Sequence, residues 1–244
     1  MQTDMTVGKP MKMLLNFTIP VFLGNVFQQL YSMADAVIVG KFVGTKGLAA
    51  VGATGTITFL IIGFLMGVTT GVTVLTSQKF GAGRMDEMRK TVGNAAILSA
   101  VIAVVMTAVS MLGMHRLLVF MHTPEDIFDG AYGYIMIICA GIFTQVLYNL
   151  VSSILRALGN SKTPLYFLIL AAGLNIVLDL VFIIFFHWGA PGAAWATVIS
   201  QGVSGVLCLI YMWKAVPELK MKKEDWYFNR DIAVKQISVG IPMG

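Results

Sequence analysis

The run GLAAVGATGTITFLIIGFLMGVTTGVTVLTSQ, residues 47–78, contains no Asp, Glu, Lys, Arg or His. About 20 apolar residues in a helix span the hydrocarbon core of a bilayer, so this run predicts a membrane-crossing helix with residues to spare. Within it Gly63, Gly67 and Gly71 recur every fourth residue. That spacing lines up one face without side chains, where another backbone can approach closely.

Five more stretches free of ionisable residues follow the same rule: 13–34, 91–114, 130–155, 163–178 and 188–213. The stretches 13–34 and 163–178 each continue past a single acid, Asp35 and Asp179. Polar segments with Gly81 and Gly83, with Pro124, and from Arg156 to Lys162 punctuate them as loops. The expected fold is an all-α polytopic membrane protein of six transmembrane helices. Its divisions are an N-terminal tail at 1–12, a six-helix lobe at 13–214, a linker at 215–231, and the start of a seventh helix at 232–244.

Composition agrees with this solvent. The chain is 57% hydrophobic and 12% charged, against roughly a quarter charged in soluble domains. The net charge of +5 does not indicate a nucleic-acid partner, because the positive residues sit in loops between apolar runs rather than in one basic patch. If the N-terminus is cytoplasmic, only Lys41, Lys46 and Arg116 of the 17 basic residues fall on the far side. The positive-inside rule then predicts a multi-pass protein of the inner (plasma) membrane with its N-terminus in the cytoplasm.

Cys139 and Cys208 lie in apolar runs and read as small core residues rather than as a disulfide. His115, His122 and His187 have no acidic or Cys partner in register, so no metal site is expected. With neither a nucleophile elbow nor a phosphate loop, no cofactor is expected and the chain does not read as an enzyme.

The chemistry is expected at the two intramembrane acids. An ionised carboxylate in mid-membrane costs on the order of several kcal/mol, so such a group is neutral, paired or facing a wet cavity. Asp35 lies about two turns before Lys41, and Asp179 sits at a similar depth before His187. The two are therefore expected to share one cavity, as groups able to take up and release protons. Asn175 precedes Asp179 by one turn and is expected to donate a hydrogen bond to it. Pro20 interrupts the hydrogen-bond ladder of the first span, as a static kink or a moving hinge. Polar clusters in spans one, four and six, Gln145 and Gln201 among them, indicate a wet interior. No Lys or Arg is read within any span.

Three stretches carry a resemblance: LYSMADAVIVGKFVGTKGLAAVGA at 30–53, RALGNSKTPLYFLILAAGLNIVLDLVFI at 156–183 and GAAWATVISQ at 192–201. Together they resemble the N-terminal lobe of the multidrug and toxic compound extrusion (MATE) family, in its proton-coupled branch. The resemblance implies a twelve-helix transporter of two six-helix lobes around a central cavity, exporting organic cations and other drugs by cation-coupled antiport. It implies that Asp35, Asn175 and Asp179 bind the proton and that Pro20 is the hinge. Gln28, Tyr31, Tyr134, Asn149 and Thr197 fall on neighbouring cavity positions. The implied partners are a small-molecule drug or organic cation, H+ with Na+ as the alternative ion, the lipid bilayer, and a C-terminal lobe. Ile241-Pro242 echoes Ile19-Pro20, so the chain is expected to be the first half of a duplicated protein. The alternatives are a lipid-linked saccharide flippase of the same superfamily and a non-transporting membrane scaffold or receptor, which would keep the two acids in separate contacts.

Overall fold

The computed structural model describes residues 10–243. Residues 1–9 of the expected N-terminal tail, Lys9 among them, and Gly244 lie outside the described residues.

The described residues form helices and no strand. In chain order they are α1 (Pro10–Phe42), α2 (Thr45–Gly81), α3 (Met85–Phe120), α4 (Glu125–Ala140), α5 (Ile142–Ala157), α6 (Lys162–Leu180), α7 (Gly189–Ala215) and α8 (Arg230–Gly240). Five of these are long and apolar enough to cross a membrane alone. The fourth span is a pair, α4 and α5, bent by 46° at Gly141. With that pair counted as one span there are six. Gly141 stands at the bend because a Cβ there would overlap the side chain of Val198 on α7.

Each spanning helix runs on past the C-terminal end of its charge-free stretch, by two residues in α5, α6 and α7 and by eight in α1. The backbone ladder can continue into the interface, where charged side chains reach water. Arg156 is accordingly a residue of the last turn of α5 and not of a loop. Arg156 thus ends α5 as Lys41, Lys79 and Lys214 end α1, α2 and α7.

Two apolar clusters hold the bundle. One gathers Val39, Ile57, Leu65, Met114, Leu118 and Ile135 at the end where α1 finishes. The other gathers Val72, Met88, Val92, Ile154, Leu155 and Leu158 at the end where α1 begins. α1 packs chiefly on α6, and much of its remaining surface, including Leu14, Phe22, Leu30 and Met33, is exposed. In a bilayer, exposed apolar surface of this kind meets lipid or another helix rather than water.

After α7 the chain turns through two short 3-10 segments, Pro217–Leu219 and Lys223–Trp226. Asn229 then caps α8 by accepting from the N–H groups of Asp231 and Ile232. This region is docked on the bundle rather than free. Asn94 donates to the Tyr227 carbonyl and accepts from the Asn229 N–H. The buried Gln236 amide donates to the carbonyls of Val72 and Thr91, both at 2.9 Å. Gly71 lies so close to Gly240 that a Cβ would overlap the Gly240 Cα. One member of the Gly63–Gly67–Gly71 series thus admits a neighbouring backbone, whereas Gly63 faces open space.

Candidate functional site

Gln28, Tyr31 and Asp35 fall on one face of α1 because residues three and four apart are neighbours on a helix. That face forms one wall of a cavity of about 570 Å³. Tyr134 from α4, Asn149 from α5 and Thr197 from α7 line it as well. All five polar positions named beside the acids are therefore brought together with Asp35. Gln145 and Gln201, legible in the sequence only as members of polar clusters, also line this cavity. Gln201 follows Thr197 by one turn of α7, and Tyr31 lines the same cavity from α1.

Asp179 and Asn175 are not in the wall. Both are fully buried behind it on α6, at 0% exposure, whereas Asp35 retains 8%. The side chains of Asp35 and Asp179 are within hydrogen-bonding reach of each other. Neither oxygen of Asp179, nor Oδ1 of Asp35, meets an N–H or hydroxyl donor among the described residues. Separate contacts, the arrangement expected of a scaffold, are not what the structure has. Two residues after Asp179 the helix widens into a π-helical segment, Val181–Phe185.

The expected bond from Asn175 to Asp179 is absent. Asn175 Nδ2 instead donates to Thr197 Oγ1 on α7, at 3.3 Å. One-turn spacing puts the two side chains on the same face, but α7 offers the amide a cross-helix acceptor there. Pro20 is buried in α1 and the helix runs through it without a break. It lines a small space together with Asn25, Gln28 and Asn149, next to the cavity that Asp35 lines.

In chemical terms the site is a carboxyl pair with a cavity on one side and helix packing on the other. A protonated carboxyl has one O–H donor, and a second carboxyl in contact can accept from it. The pair is thus able to hold a proton between its members, and Asp35 is the member that a solute or water in the cavity meets first.

Residues 20–181 match the family model MatE. A curated relative, the probable multidrug resistance protein YpnP of Bacillus subtilis (strain 168), is 32% identical over 243 residues, covering 99% of this chain and 54% of that protein. The probable multidrug resistance protein NorM of Thermotoga maritima is 28% identical over 239 residues, covering 95% of this chain and 50% of that protein. Among solved structures, a MOP superfamily transporter from Pyrococcus furiosus Vc1 (DSM3638) superimposes with a TM-score of 0.90 at 28% identity, covering 97% of this chain and 52% of that one. The chain spans about half the length of the curated relatives it matches.

Proposed function

Because this chain belongs to the MatE family, we propose that it forms the N-terminal lobe of a drug-exporting antiporter and carries that protein's proton site. The observation that supports this most is the contact between Asp35 and Asp179, two intramembrane acids with no basic partner among the described residues. In this reading a proton entering the cavity from outside reaches Asp35 and is shared with Asp179. A cationic drug held against Asp35 loses its counter-charge and leaves outward. Tyr31, Gln28, Tyr134, Asn149 and Thr197 shape the cavity around the drug. Asn175 holds α6 to α7 while the pair changes, and Pro20 supplies the flexible point in α1.

The driving force is adequate for such a cycle. A membrane potential contributes about 2.3 kcal/mol per charge per 100 mV, and each pH unit about 1.4 kcal/mol. The proton is the coupling ion of this proposal because a protonated carboxyl of the pair can donate to the other, with Na+ as the alternative ion. The excess of basic residues at the end where α1 begins supports placing that end in the cytoplasm of an inner-membrane protein.

The test is Asp179→Asn in cells that depend on the protein for resistance to a cationic drug. Resistance is expected to vanish while the amount of protein in the membrane stays the same. Unchanged export in that variant would remove the carboxyl pair from the mechanism.

A further inference from the structure

A second cavity, of about 970 Å³, lies on the same α1, α2 and α5 face toward the end where α1 begins. Asn25 and Met66 line both cavities, so the two adjoin there. Phe17, Val21 and Met66 supply apolar lining to the second cavity, and Thr70, Thr73, Ser77, Ser153 and Arg156 supply polar lining. Arg156 Nη2 donates to Ser153 Oγ at 3.2 Å, and Ser153 Oγ is 3.5 Å from Thr70 Oγ1.

Arg156 differs from the chain's other partly buried guanidinium in what it meets. Arg89 lies between Asp86 and Asp225. Arg156 is also partly buried, yet among the described residues no carboxylate pairs with it. Glu218 lines the same cavity and has an interaction of its own. A guanidinium has five N–H donors, and the bond to Ser153 is the one that Arg156 makes to protein among the described residues. Its planar fork matches the oxygens of a phosphate, which can take two parallel hydrogen bonds.

We propose that this cavity binds a phosphate-bearing amphiphile. The phosphate oxygens accept from Arg156 and the Ser153 hydroxyl, and the hydrocarbon chain lies along Phe17, Val21 and Met66. The site is separate from the Asp35–Asp179 pair and does not depend on what that pair does. The same chemistry is offered by a phospholipid of the surrounding bilayer and by a phosphorylated amphipathic solute.

The experiment uses the purified protein in maltoside detergent without any ion gradient. In one arm phosphatidylglycerol and diacylglycerol are added and retained lipid is counted by native mass spectrometry. In the other, dodecyl phosphate is titrated against the thermal unfolding midpoint, with added dodecyl maltoside as the comparator. The wild-type protein is expected to prefer the phosphate-headed member in at least one arm. Arg156→Gln is expected to weaken that binding roughly tenfold, while Lys90→Gln, which removes one charge from an exposed position, leaves it unchanged. Asp179→Asn is also expected to leave it unchanged, so failure here is distinguishable from failure of the proton site. A preference confined to phosphatidylglycerol supports the site with a bilayer lipid as its ligand, and one confined to dodecyl phosphate supports it with a soluble amphiphile. Equal binding of the paired probes by the wild-type protein in both arms overturns the proposal, as does an undiminished preference in Arg156→Gln. If Arg156→Gln does not fold, Ser153→Ala removes the other proposed donor, and an undiminished preference for the phosphate-headed probes in that variant overturns the proposal.

Discussion

Asn175 shows how far a single residue can be understood from its neighbours in sequence. Its place on the Asp179 face follows from helix periodicity, whereas the direction of its amide depends on Thr197, 22 residues away on another helix. Removing that acceptor isolates the effect. Thr197→Val leaves the buried Asn175 amide without its partner, which is expected to cost about 1–3 kcal/mol and to lower the thermal unfolding midpoint of the purified protein. An unchanged midpoint would mean that the amide finds another acceptor. Gln28, Tyr31 and Asp35, which the resemblance placed around one cavity, share one helix, where spacing fixes the face. Arg156 escaped because a charge after a long apolar stretch reads as a loop, and only its partners reveal which way it turns.

At the level of elements, the six spans were legible because charge is expensive in hydrocarbon, and a bilayer is the ordinary reason for its absence over such lengths. The bend between α4 and α5 was not, since Gly141 is one of 25 glycines and only Val198 packing against it gives it meaning. Nor was the docking of α8, whose polar contacts run to Val72, Thr91 and Asn94, all more than 130 residues away in the chain. The Gly71–Gly240 approach is the tightest point of that docking. Gly71→Ala is expected to cost about 1–3 kcal/mol through overpacking. Because α8 is the part that must move away, the loss is expected first as faster proteolysis between residues 216 and 229, ahead of any loss of the six-span bundle. Equal cleavage rates in wild type and variant would show that the contact is dispensable.

For the whole molecule, the arrangement of charge makes a topological prediction. Lys220 and Lys46 are both exposed and lie at opposite ends of the bundle. With Lys220→Cys, a membrane-impermeant thiol reagent is expected to label cells only after they are made permeable. With Lys46→Cys it is expected to label intact cells. The chain's own cysteines, Cys139 and Cys208, are buried and contribute little background. The reverse pattern would invert the direction of export proposed above.

The unequal holding of the helices has a mechanical side. α6, which carries Asp179, is gripped by α7 on one side and meets α1 on another. α1, which carries Asp35, rests mainly on α6 and has few ties elsewhere. A proton held between the two acids would therefore act as a removable rivet between the most loosely mounted beam of the lobe and one of its fixed ones. In the proposed cycle, loss of that proton would remove one tie among the many that pack α1 on α6.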